Sequence, residues 1–238
     1  MPFTYDYPRP MVTVDILLLR IYKGDLQLLL IQRGHPPFEG KWALPGGYVD
    51  IEEPIRSAAE RELQEETGIK NLPLLEAGVV GTPGRDPRGR TITIVHVGAI
   101  PLNSDVTEKA GDDARLARWF PMTALPATAF DHDKIIPETL AQFRLNFIFR
   151  FWSLLFMPEP RFSLNQLKSV WEIILNRKIS STTLISLYSG LDGLQFEPSK
   201  EGFIFTQNKT EVLTRGYDDL LKFWLRNLAV LKDETASV

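Results

Sequence analysis

Within residues 47–69 the chain places three carboxylates on the side of a helix that its own apolar residues turn inward. Pro54 suits a first helical turn and Gly68 the position just past the last one, which predicts a helix over residues 54–67. At about 100° per residue, Ile55, Ala59 and Leu63 form one stripe, with Glu62 and Glu66 inside it and Glu65 at its edge. A solvated acidic helix would put those glutamates on the opposite side. The cluster also sits at the helix C-terminus, the negative pole of the macrodipole. Glu62 and Glu66 are like charges four residues apart, which costs a further ~0.2–0.5 kcal/mol. Hard divalent cations bound by carboxylate oxygens reverse that penalty, and magnesium combines one or two carboxylates with waters and substrate phosphates. The pattern therefore predicts a metal-dependent phosphate site.

The same stretch resembles the Nudix box: Gly47, Glu53 six residues on, the run Arg61-Glu62-Leu63-Gln64-Glu65-Glu66, and the pair Gly68-Ile69. Every signature position is filled, over a span long enough to make chance agreement improbable. The resemblance implies an α/β fold, a Nudix α/β/α sandwich with a mixed sheet. It implies Mg²⁺ or Mn²⁺ held by Glu62, Glu65 and Glu66 with the Gly46 or Gly47 carbonyl assisting. It further implies that Arg61 and Glu53 brace helix and loop by ion pairing, so that Glu53, Arg61, Glu62, Glu65 and Glu66 form the catalytic set. The reaction implied is attack by water on a diphosphate. One of these glutamates would serve as general base, or an acidic residue among Glu108, Asp112 and Asp113.

The rest of the first 150 residues fits such a sheet. Residues 11–22 and 26–32 are rich in Val, Ile and Leu around Lys23-Gly24-Asp25, which reads as a β-hairpin. Residues 91–100 alternate apolar and polar side chains as a third strand, Trp119-Phe120 marks another, and residues 135–145 read as a helix. Three guanidiniums, Arg85, Arg88 and Arg90, share a Pro/Gly-rich loop suited to phosphate or carboxylate contacts, although a solvated turn has the same composition. Pro83 lies where ADP-ribose pyrophosphatases, a branch of the same family, carry a proline. Residues 32–47 and 129–134 are similar to that branch and to the Nudix-related transcriptional regulators. The resemblance makes Arg33, Arg85, Arg88 and Arg90 the expected substrate contacts and ADP-ribose, or another nucleoside diphosphate sugar, the expected substrate. His96, in a strand, and His132, near a helix start, read first as hydrogen-bonded structural histidines.

At 238 residues the chain exceeds one typical domain, and Met157-Pro-Glu-Pro160 is the clearest interruption, which places a linker near residues 150–161. The expected division is a Nudix domain over residues 1–150 and a winged helix-turn-helix domain over 151–238. In the second part Ser163 can cap a helix carrying Leu164, Leu167, Val170, Trp171 and Ile174. Residues 180–188 form a second short helix, and residues 194–197 and 203–206 flank a Lys200-Glu-Gly turn. The opening at Phe162 is similar to the C-terminal domains of Nudix-related regulators, which read an operator as dimers. As a DNA reader, however, the stretch 180–189 offers hydroxyls and no Arg, Lys, Asn or Gln. The candidate phosphate contacts are Lys168, Arg177 and Lys178, with Lys200 and Lys209 nearby and glutamates interspersed. Neither part is strongly basic, the formal charges being −4 over residues 1–145 and +1 over 146–238. A protein-interaction module with Trp171, Phe196 and Phe203 as core competes with the DNA reading.

The absence of cysteine removes disulfides and thiolate ligation. No run long enough to span a membrane or head a secreted chain is evident, so a cytoplasmic location is the default expectation. Taken together, these features predict a Mg²⁺- or Mn²⁺-dependent pyrophosphohydrolase of ADP-ribose or a related sugar nucleotide, working as a homodimer. The alternative is a regulator that senses the same ligand in the same pocket and binds DNA.

Overall fold

The computed structural model describes residues 5–104, 114–158, 161–189, 191, 194–199 and 202–207. The described residues within Met1–Leu19, Gln27–Ala99 and Asp105–Gln142 group in one compact unit. Those within Arg20–Leu26, Ile100–Ser104 and Phe143–Val238 group in a second.

The first unit is organised around β1 (Met11–Tyr22), whose residues 13–19 are all buried. A strand covered on both faces reads as an unbroken apolar run rather than an alternation, which is how Val14 and Ile16–Leu19 read. Lys23 and Gly24, both at positive φ, turn the chain into β2 (Asp25–Arg33). Two short strands follow, β3 (Trp42–Ala43) and β4 (Gly46–Tyr48), and then helix α1 (Ile55–Thr67). The sheet continues with β5 (Leu75–Val80), β6 (Thr91–Ala99) and β7 (Ala114–Pro121). The strand order is β3-β2-β1-β6-β5, with β4 paired to β1 and β7 to β2. β1 runs parallel to β6 from Met11↔Thr91 to Leu19↔Ala99, while β2–β7 and β5–β6 are antiparallel. The sheet is therefore mixed, as expected. Helix α2 (His132–Phe149) continues from the first unit into the second.

Helix α1 starts one residue later than the composition suggests. Pro54, extended at φ −63° and ψ 144°, is its N-cap, and Gly68 closes it at φ 72° with its N–H donating to the Gln64 carbonyl. The inward stripe is Ala58, Ala59, Leu63, Glu66 and Thr67; Ile55 stands 38% exposed at the open first turn and does not belong to it.

In the second unit, the described residues 151–157 of the expected linker are not open to solvent. Phe151–Met157 are all buried, and a 3₁₀ turn occupies Trp152–Phe156. Five large aromatics in this stretch and in α2 bury too much apolar surface to remain in water. β8 (Arg161–Ser163) leads into α3 (Leu164–Leu175) through a capping box. Ser163 Oγ accepts from the Gln166 N–H at 3.2 Å, and Gln166 Oε1 accepts from the Ser163 N–H at 2.7 Å. The inward residues of α3 are the predicted five, Leu164, Leu167, Val170, Trp171 and Ile174. Helix α4 (Ser181–Tyr188) is capped by Ser180, and β9 (Leu194–Ser199) and β10 (Gly202–Gln207) complete a three-stranded antiparallel sheet in the order β8-β10-β9. Helix, helix and β-ribbon is the order of a winged helix-turn-helix. The side chains of Phe196 and Phe203, like Lys200 and Lys209, lie outside what is described.

One polar knot fastens this unit. The Tyr188 hydroxyl, wholly buried, accepts from Trp171 Nε1–H at 3.0 Å and shares a second hydrogen bond with Ser153 Oγ, joining α4, α3 and the 3₁₀ turn. Burial pushes the phenol pKa up, so it stays protonated throughout the working range. Tyr188→Phe strips both partners at once, and leaving buried polar groups unpaired costs about 1–3 kcal/mol. A matching drop in the denaturant midpoint is the expected result; an unchanged midpoint would mean that water replaces the hydroxyl.

Candidate active site

The glutamates of α1 are met from below by the turn that joins β3 to β4. Pro45 gives its carbonyl to the Ile16 N–H at 2.8 Å, and the next residue is Gly46 at φ 152°. A Cβ on Gly46 would lie 2.1 Å from the Val14 carbonyl oxygen, so only glycine lets the turn run this close to β1. From that position the Gly46 N–H donates to Glu66 Oε2 at 2.8 Å. A Cβ on Gly47 would lie 2.3–2.7 Å from the Glu62 carboxylate, so that carboxylate rests directly against the Gly47 backbone. Two glycines and two glutamates thus form one surface, which is why the spacing from Gly47 to Glu66 is fixed.

Arg61 holds the set together. Its guanidinium meets Glu53 at 2.6 and 3.1 Å, Glu62 at 2.8 Å, Glu65 at 3.0 Å and the Tyr48 carbonyl at 3.0 Å. The bonds from Arg61 hold the Glu53 carboxyl below its ordinary pKa. Burial pushes Glu62 up, against the pull of Arg61, whereas Glu65 is the most exposed of the three at 58%. Among the described residues no three His, Asp or Glu side chains converge on one point, because Glu62 and Glu65 both turn to the Nη1 of Arg61.

Glu62 and Glu66 open into a cleft of about 320 Å³ that is also lined by Arg33, His35, Tyr48, Asp50, Arg61 and Arg88. That volume falls at the lower end of small-molecule sites. Arg33 is anchored by the Pro37 carbonyl at 2.8 Å, and its guanidinium lies 4.8 Å from the centre of the Phe130 ring. Arg88 is anchored by Asp86 at 2.7–3.2 Å and lies 5.0 Å from the Tyr48 ring and 5.5 Å from that of Phe130. Partial burial, together with the charge of Arg88, pulls the Arg33 guanidinium below its ordinary pKa. Two guanidiniums, each anchored by a neutral or oppositely charged neighbour, thus line one cleft, an arrangement chemically suited to an anion.

The three arginines of the 85–90 loop part company. The Arg85 side chain is only 5% exposed and is bound to Asp131 at 2.9 and 3.1 Å, with Asp15 at 3.5 Å. Arg90 turns to the Thr91 carbonyl at 3.2 Å and lines neither this cleft nor the pocket behind it. Of that loop only Arg88 lines the cleft itself. Glu108, Asp112 and Asp113 lie outside the described residues.

Behind the cleft a smaller polar pocket is lined by Asp15, Arg85, Asp86, Phe130 and His132. Burial pushes the Asp15 carboxyl up, but His132 and Arg85 more than offset it and hold it below its usual range. Arg85, His132 and residues 129–134 stand out in the sequence, but Asp15, the one acidic residue in the strand Met11–Tyr22, is what joins them and went unread. A carboxylate in an otherwise apolar central strand needs partners, yet its partners lie 70 and 117 residues further on.

The NUDIX domain model matches residues 10–140, more than half of the chain, and covers the sheet, α1 and the cleft. The chain belongs to the NUDIX family. Among curated relatives it is 35% identical over 179 residues to the ADPR responsive transcriptional repressor NtrR of Acinetobacter baylyi, covering 73% of this chain and 70% of that one. It is 42% identical over 134 residues to the ADP-ribose pyrophosphatase of Methanocaldococcus jannaschii, covering 56% of this chain and 74% of that one. Among solved structures, Shewanella oneidensis NrtR superposes with a TM-score of 0.71 at 23% identity, over 86% of this chain and 96% of that one. That likeness extends the shared fold from the NUDIX domain into the helices and ribbon that follow it.

The described residues of the second unit place Lys168 on α3 and Arg177 and Lys178 in the α3–α4 turn. Lys178, highly exposed, is paired with Glu172 at 2.9 Å. No helix among the described residues is long and apolar enough to cross a membrane.

Proposed function

We propose that the protein is a divalent-cation-dependent pyrophosphohydrolase of ADP-ribose or a closely related nucleoside diphosphate sugar. One observation carries the reading: the carboxylates of Glu62 and Glu66, set on the Gly46–Gly47 turn, open into the same cleft as the paired guanidiniums of Arg33 and Arg88. That cleft offers hard anionic donors on one wall and an anion-binding pair on the other, as a bound diphosphate requires.

The donor set fits magnesium or manganese: all oxygen, with Glu66 fixed by a backbone N–H and Glu62 seated where a Cβ would otherwise be. Glu62, Glu65, Glu66 and the Gly47 carbonyl would hold the ion, once Arg61 Nη1 yields its contacts to Glu62 and Glu65. The ion supplies Lewis-acid activation of water and neutralises charge on the phosphate oxygens. The chain does the rest. Arg33 and Arg88 hold the diphosphate, and Tyr48 and Phe130 back the Arg88 guanidinium and fix its plane. Water adds to one phosphorus as the bridging P–O bond breaks, and a glutamate of the cluster takes the proton. AMP and ribose 5-phosphate leave. Incubation with ADP-ribose, sugar nucleotides and dinucleotides in Mg²⁺, with and without chelator, tests this. Chelator-sensitive release of phosphomonoester from ADP-ribose is expected, and silence across the panel would refute it.

A second reading, an ADP-ribose-sensing regulator working as a homodimer, is supported by the relative named as an ADPR responsive repressor, which matches beyond the NUDIX domain. Arg177, Lys178 and Lys168 would then contact DNA phosphates. Salt-sensitive binding to the region upstream of its own gene, weakened by Arg177→Ala with Lys178→Ala, distinguishes it from hydrolysis alone.

A further inference from the structure

We propose that His132 is a positioning residue for Glu66, acting through the backbone of the β3–β4 turn. The proposal rests on the reading of Glu66 as a cation ligand. His132 Nδ1 accepts the Leu44 N–H at 2.9 Å. A ring nitrogen that accepts carries no proton, so the proton lies on Nε2, which faces Asp15 Oδ1 at 3.4 Å. With both nitrogens engaged and the residue 3% exposed, the imidazole has no free nitrogen for proton transfer to a substrate.

What it holds is the turn. Pro45 has no N–H and a fixed φ, so the Leu44 N–H is the nearest donor upstream of Gly46 that can be anchored. Three successive residues are then tied to different parts of the unit: Leu44 by His132, Pro45 by Ile16, Gly46 by Glu66. The histidine is itself secured, because Ala129 donates to the Trp42 carbonyl at 2.7 Å and His132 donates its own N–H to the Ala129 carbonyl at 3.2 Å. The start of α2 and β3 are thus stitched together on either side of the contact. Release of the Leu44 N–H leaves a buried donor unpaired and frees the turn to shift, and with it the N–H that aims Glu66.

Two substitutions separate the contacts of the ring. The Asn side-chain oxygen occupies the place of Nδ1, so His132→Asn keeps the Leu44 bond and gives up Asp15. The Gln amide reaches the place of Nε2, so His132→Gln keeps Asp15 and leaves Leu44 bare. The probe is Mn²⁺ alone, titrated into the full chain and followed by the paramagnetic resonance of the free ion. Groups that touch a metal ligand directly are worth roughly 10–100-fold in metal affinity, and His132 acts one step further out, through the turn. His132→Gln should therefore weaken Mn²⁺ binding by about tenfold, the low end of that range, while His132→Asn stays within about threefold of the parent. Equal losses in both variants, or a loss confined to His132→Asn, would overturn the proposal. The nitrogen-15 spectrum of the parent protein gives a check that needs no variant to fold: a proton on Nδ1 of His132 excludes the Leu44 bond. Because no substrate is present, failure of the ADP-ribose reading and failure of this one give different results.

Discussion

If the protein hydrolyses ADP-ribose as proposed, Glu66→Gln should leave the fold intact and lower kcat on the order of 10²–10⁴-fold, the range typical for loss of a group that moves a proton or stabilises charge in the transition state. The amide oxygen of Gln can still accept the Gly46 N–H, so the turn keeps its place while the anionic donor is lost. That separation of effects makes the substitution informative. The melting temperature should stay within a few degrees while chelator-sensitive turnover collapses. A variant that turns over within about threefold of the parent would take the α1 glutamates out of the mechanism altogether.

The largest loss of stability is expected at Gly46→Ala. Its φ of 152° is foreign to residues with a Cβ, and that Cβ would meet a backbone oxygen, which has nowhere to go, at 2.1 Å. Strained backbone and a forced strand shift together cost about 3–5 kcal/mol. At roughly 2–4 °C per kcal/mol for a chain of this size, the melting temperature should fall by on the order of 10 °C. A fall of less than about 2 °C would show that β4 can slide on β1 without consequence.

Much of this could be read before the structure because it is local. The α1 glutamates recur at helical spacing between Pro54 and Gly68, the β1–β2 hairpin turns at Lys23-Gly24, and the α3 capping box needs only Ser163 and Gln166. What escaped was either too short to show a period or held by distant partners. β3 and β4 are two and three residues long, set by pairing with β2 and β1 rather than by propensity. Arg85, Arg88 and Arg90 look equivalent in sequence. Asp131, Asp86 and the Thr91 carbonyl send them to three different places, and the first of these lies 46 residues away. Residues 150–161 read as a linker because Pro158 and Pro160 outweigh a run of aromatics whose burial depends on partners elsewhere in the second unit.

Arg61 carries one further implication. Structural zinc sites supply much of the folding free energy of small domains, and such proteins unfold without the ion. Here a guanidinium already bonds Glu53, Glu62 and Glu65, so the chain itself offsets part of their mutual repulsion. The domain is therefore expected to fold without a metal. Its catalysis would then follow the supply of free divalent ion, switching on and off reversibly while the molecule itself persists.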